Sequence, residues 1–147
     1  MAISFTLRSF NSFLLAIFAL FFVFSTTSCA RKINFVASPI VPSAEGRVKV
    51  KKDNNNNYSV DLEVKHLADP SKLAQPHSIY MVWMDTESNG VQKLGQLNTS
   101  SGLLNSTMKA SMETSTPYKP VRIFITGENG ADLPFPGNYV VLTTSSF

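Results

Sequence analysis

Tyr58-Ser59-Val60-Asp61-Leu62-Glu63-Val64-Lys65 alternates without a break between residues that favour burial and residues that favour water. A period of two over eight residues marks a half-buried β-strand, because successive side chains leave opposite faces of the pleat. Just upstream, Arg47-Val48-Lys49-Val50-Lys51 alternates in the same way. Between the two runs lies Lys52-Asp53-Asn54-Asn55-Asn56-Asn57. Asn and Asp tolerate left-handed backbone and bond their own main chain, so this segment is a turn. Two alternating runs around such a turn predict a β-hairpin.

The pattern repeats downstream. Residues 68–77 hold two prolines, which exclude a long helix, although Pro70 can open a single turn. Ile79-Tyr80-Met81-Val82-Trp83-Met84 is apolar on both faces and reads as a central strand. Asp85 to Gly90 ends in Asn-Gly, a strong turn signal. Val91 to Leu97 then supplies a partner strand, with Gly95 as a bulge or close-approach point. Leu103, Leu104, Met108, Ala110 and Met112 suggest another strand, although helical spacing also fits, and Ser111 to Pro120 reads as loop. Val121 to Thr126 reads as a second central strand, Gly127 to Gly130 as a turn, and Tyr139 to Thr143 as the last strand. Near the start, Ile33 to Val36 can pair at a sheet edge. After Cys29 no amphipathic helix of ten or more residues is evident. The expected fold is all-β, an antiparallel β-sandwich of seven or eight short strands, with a small barrel as the alternative.

Ahead of this domain, Phe13 to Phe24 is an unbroken apolar run. Arg8 precedes it, and Ser25-Thr26-Thr27-Ser28 and the only cysteine, Cys29, follow it. A positive start, an apolar core and small residues form a secretory signal peptide, cleaved from the mature chain. The core is short of the roughly 20 apolar residues of a spanning helix, and an uncleaved anchor is the alternative. A lone thiol in an exported chain forms no internal disulfide and asks for an explanation. Small residues before an obligatory cysteine resemble the bacterial lipoprotein signal. The lack of a leucine at position 26 resembles the looser Bacteroidetes form. That resemblance implies cleavage before Cys29, several acyl chains on its thiol, and a membrane partner reached through lipid. The expected organisation is 1–28 signal peptide, 29–45 lipidated N-terminus and tether, and 46–147 sandwich. No acidic residue follows Cys29 directly, which leans towards an outer-membrane site facing the periplasm. Arg31 and Lys32 read as solvated linker charges that are also placed to touch anionic head groups. The mature chain has 12 basic and 10 acidic residues, a balance too mild for a nucleic-acid partner.

A second resemblance covers residues 46–145. Tyr80-Met81-Val82-Trp83, Gly90, Leu94-Gly95, the apolar run Ile123 to Thr126, and then Glu128, Gly130 and Pro134 follow one another. In that order they are similar to the carboxy-terminal extracytoplasmic domain of the anti-sigma-K factor family. The family's Glu-Pro-x-Gly-Gly turn is reduced here to Glu128-Asn129-Gly130-Ala131. On this reading the short segment before Cys29 is expected to leave no room for a sigma-binding part, and regulation is not carried over. The resemblance implies a sandwich outside the cytoplasm that senses or holds a protein partner.

Candidate chemistry is sparse. His66, His77, Met81 and Met84, with Met108 and Met112, form one ligand-like set, since imidazole and thioether suit copper. The plainer reading is core methionines and loop-edge histidines, with no cofactor. Asp61 and Glu63 lie two apart on one strand face shared with Lys65, a solvated face before a catalytic pair. There is no Gly-x-Ser-x-Gly elbow. Tyr80 and Trp83 read as structural core: a lone Trp on a central strand of a sandwich fills the core, and Tyr80 points to the opposite face. Asn57, Asn98 and Asn105 are N-x-S/T sites that matter only in a eukaryotic secreted chain. The reading that remains is a non-enzymatic binding or structural module, with a periplasmic copper carrier as the alternative.

Overall fold

The hairpin around the Asn-rich turn forms where the alternation places it. β2 (Glu45–Lys52) pairs antiparallel with β3 (Tyr58–Leu67), matching Val48 to Leu62 and Val50 to Val60. Asp53 fixes the turn: its Oδ1 accepts from the amides of Asn55 and Asn57, each at 2.8 Å. Asn56 takes the left-handed conformation, φ 64°. The computed structural model describes residues 30–101 and 108–147. The expected signal peptide, Cys29, Leu103, Leu104 and Asn105 lie outside the described residues.

The other strands are β1 (Arg31–Asn34), β4 (Ile79–Thr86), β5 (Val91–Gln96), β6 (Asn98–Ser101), β7 (Met108–Thr116), β8 (Pro120–Glu128) and β9 (Val140–Thr143). They form two sheets, β1-β2-β3-β7-β6 and β5-β4-β8-β9, with every pairing antiparallel. The chain leaves the first sheet after β3, builds β4 and β5, and returns through β6 to lay β7 beside β3. It then crosses again to lay β8 beside β4. With β1 added at one edge, this is the Greek-key order of an immunoglobulin-like sandwich.

The core lies between the sheets. Val48, Val60, Leu62 and Val64 from the first meet Tyr80, Val82, Met84, Ile123 and Ile125 from the second. Burial of such side chains contributes about 1.5–3 kcal/mol each, the main force holding the sheets together. Pro70–Lys72 forms one 3-10 turn, capped by Asp69, whose carboxylate accepts from Ser71 N at 2.9 Å and from Ser71 Oγ. Those bonds hold the Asp69 carboxyl below its ordinary pKa.

Three features depart from expectation. Residues 30–45, expected as a tether or an irregular first strand, pack onto the sandwich along most of their length: β1 pairs with β2, and Ser38, Val41 and Ala44 are buried. Beyond β1 the same segment meets the other sheet. Val36 N bonds Thr143 O at 2.8 Å, and Ser38 Oγ donates to Val141 O. Next, β7 runs to Thr116 through residues expected as loop. Met112 and Thr116 are buried, while Ser111, Glu113 and Ser115 are exposed. Threonine is polar in composition but β-branched in shape, so it suits a strand. Finally β6, Asn98-Thr99-Ser100-Ser101, has no apolar alternation and is held by pairing with β7.

Candidate functional site

β4 and β8 are apolar on both sides because both sides are covered. Register sets Trp83 beside Phe124 and Met81 beside Thr126, on the face turned away from the inter-sheet core. There Met81, Trp83 and Phe124 form a second buried cluster, joined by Ile79 and Leu133. Trp83 is thus 1% exposed but lies outside the main core, whereas Tyr80, also 1% exposed, points into it. The lid is the segment 129–138, which links β8 to β9.

Polar side chains clamp this lid. Trp83 Nε1 donates to Thr126 Oγ1 at 2.9 Å, and Thr126 Oγ1 donates to Glu128 Oε1 at 2.6 Å. Glu128 Oε1 also accepts from Gly137 N at 2.7 Å. Glu128 is 6% exposed and is the only buried carboxylate among the described residues. A carboxylate out of water requires such donors, since an unpaired one is strongly destabilising. Gly137 is required by space: a Cβ there would stand 2.8 Å from Glu128 Oε2. From the other side Lys93 Nζ donates to Ala131 O at 3.0 Å and Leu133 O at 3.2 Å. Lys93 stands opposite Trp83 in register, which aims it at the lid.

The clamped lid displays Phe135. It lies between Pro134 and Pro136 and is 74% exposed, the most exposed large hydrophobic side chain among the described residues. Proline fixes its own φ and restricts the residue before it, so Phe135 is held in a narrow set of backbone states. Val140 and Val91, 39% and 40% exposed, lie on the same sheet face, opposite Thr126 and Asp85. Arg122 stands opposite Asp85 on that face, bonded to Asp85 Oδ2 at 2.6 Å and stacked 5.2 Å from the Phe124 ring centroid. At the lid's base is an open hollow of about 480 Å³ lined by His77, Gly127, Leu133 and Tyr139, among others.

The ligand-like residues are not brought together. Met81 and Met84 leave opposite faces of β4, one in each buried cluster. His66 is exposed at the β3 bulge with φ 56°. His77 stacks on Tyr139, centroids 4.6 Å apart, with Nδ1 donating to Gln75 O at 2.7 Å. Met108 sits opposite Leu67, and Met112 faces the main core. Among the described residues no three His, Cys, Asp or Glu side chains gather as metal ligands would. Asp61 and Glu63 share the solvent face of β3, where Glu63 pairs with Arg47 at 2.8 Å.

Sequence reasoning singled out neither Phe135 nor the partners Lys93, Thr126 and Gly137. The signal for Phe135 was Pro-Phe-Pro-Gly, an aromatic residue stiffened on both sides in the last loop. No helix of the described residues is long and apolar enough to cross a membrane. Compared with known proteins, the chain matches no family model, no curated sequence and no solved structure.

Proposed function

We propose that this protein is a lipid-anchored, non-enzymatic binding module of the bacterial envelope, held at the outer membrane and facing the periplasm. It grips a protein partner through the lid face of its second sheet. The observation that carries the reading is the clamped display of Phe135. An aromatic side chain carried on a backbone already restricted by its flanking prolines loses less entropy when captured, and aromatic residues dominate interface energies. The chemistry it seeks is an apolar pocket on another protein, with Val140, Val91 and the Arg122–Asp85 pair on the outer face of the same sheet. Glu128 supports a binding rather than a catalytic reading, because its Oε1 already serves the lid.

The anchor reading rests on the signal-like start and Cys29. Arg31 opens β1 two residues later, so the sandwich begins within about 7 Å of an acylated cysteine. The lid lies on the sheet that does not contain β1, and so faces away from the strands nearest the anchor.

Two measurements test the two halves. Mass spectrometry of the membrane-fraction protein is expected to find Cys29 as an acylated first residue, and Cys29→Ser is expected to leave the membrane. An unmodified Cys29 refutes the anchor. For the partner, in-cell crosslinking from position 135 is expected to give one dominant protein adduct. A chain that yields none, while folded and in place, refutes the binding face.

A further inference from the structure

We propose that β1 and β2 form a docking face for anionic phospholipid head groups, which seats the sandwich edge-on against the membrane. This rests on the reading of Cys29 as the lipid anchor. The first observation is charge segregation. β1 and β2 carry Arg31, Lys32, Arg47, Lys49, Lys51 and Lys52 against the single acid Glu45. The rest of the chain after Cys29 has six basic and nine acidic residues, so the two strands are positive on an otherwise negative protein.

The second observation is register. Lys32 stands directly opposite Lys49 on the solvent face. Like charges opposed across a strand pair are destabilising. Among the described residues neither lysine, nor Lys51, has a carboxylate partner. Asp61 stands opposite Lys49 on its β3 side, so the counter-charge that an external anion would supply is the one Lys32 and Lys51 lack.

The third observation is direction. β1 is an edge strand, and the chain reaches it from Cys29 through Ala30. Across the same sheet face, Asp61, Glu63 and Glu113 on β3 and β7 are negative. They would be repelled by a flat approach, so the sheet meets the bilayer on its β1–β2 edge. Arg31 and Lys52 turn to the other face, over the rings of Phe147 and Tyr58, and Arg47 pairs with Glu63. Anionic lipid fits better than a protein partner because what the solvent face offers, Lys32, Lys49 and Lys51, is a row of separate cations with no apolar centre. With several acyl chains already holding the protein, a short basic stretch beside the anchor orients the domain on an anionic surface.

The test uses the acylated protein extracted from membranes and reconstituted into vesicles. One set contains phosphatidylglycerol and the other phosphatidylcholine alone. Lysines are labelled with an amine-reactive ester and read by peptide mass. Lys32, Lys49 and Lys51 are expected to react about threefold or more slowly on the anionic vesicles, each charge near such a surface being attracted appreciably. Lys72 and Lys93 serve as references. The difference is expected to vanish in about 1 M salt, where the screening length is about 3 Å. Equal rates on the two vesicles overturn the docking face. Failure of the anchor reads differently: the N-terminal peptide lacks acyl mass, and the protein does not float with phosphatidylcholine vesicles.

Discussion

Glu128 shows what one oxygen of a buried carboxylate does when it accepts two bonds. Its Oε1 takes the Thr126 hydroxyl and the Gly137 amide, and Thr126 in turn receives the Trp83 indole. Glu128→Ala removes the acceptor and leaves a gap beneath the lid, and is expected to cost about 2–4 kcal/mol in urea denaturation. Glu128→Gln keeps a carbonyl oxygen in place and is expected to cost about 1 kcal/mol. Tyr80 makes a second prediction. Its hydroxyl donates to Ala68 O at 2.9 Å. Burial, and then the charges of Asp69 and Tyr139, push its pKa well above the ordinary phenol value. The folded pKa exceeds the unfolded one. The stability that follows is therefore full below the free-phenol value of about 10 and is lost as pH rises towards the folded value. At about pH 11 the folded protein is expected to show no phenolate absorbance from Tyr80, by comparison with Tyr80→Phe, until urea unfolds it.

At the scale of elements, the strands whose alternation is unmixed were readable from sequence. β2, β3, β4, β5, β8 and β9 occur where their residues place them, as do the Asn-rich turn and the Gly95 bulge, φ 145°. Less was legible where tertiary pairing supplies the reason for a strand. β6 is all polar, and the second half of β7 hides its alternation behind threonines. The face of Trp83 was not legible at all. An apolar strand covered on both sides gives no parity signal, and only the lid explains why a tryptophan lies outside the inter-sheet core. The same blindness hid the lid clamp, whose members are far apart in sequence. Gly46 tests the tight join between β2 and the N-terminal segment. A Cβ there would stand 2.7 Å from Phe35 Cδ2 and 3.1 Å from the backbone oxygen of Glu63. Gly46→Ala is expected to cost about 1–3 kcal/mol through overpacking. Gly130→Ala, with nothing within 4 Å of the new methyl group, is expected to stay within about 0.5 kcal/mol. Thermal melts of the two variants make the comparison.

The whole molecule is two-sided, with basic strands on one sheet and the Phe135 lid on the other. Phe135→Asp alters an exposed position and is expected to change stability by no more than about 0.5 kcal/mol, measured by urea midpoint. The same variant is expected to lose the dominant crosslinked partner when the photoprobe is moved to Val140. Retention of that adduct would show that Phe135 is not the anchor of the interface. The segment that starts the sandwich has a further meaning. Arg31 to Asn34 is laced to β2, and then Val36 and Ser38 are laced to β9. A pull on the N-terminus along its strand axis therefore enters two sheets in succession. It must shear a row of bonds together rather than unzip them one at a time. The domain is harnessed like a kite on a bridle with two attachment points, and both rows of bonds must give before the N-terminal segment leaves the fold.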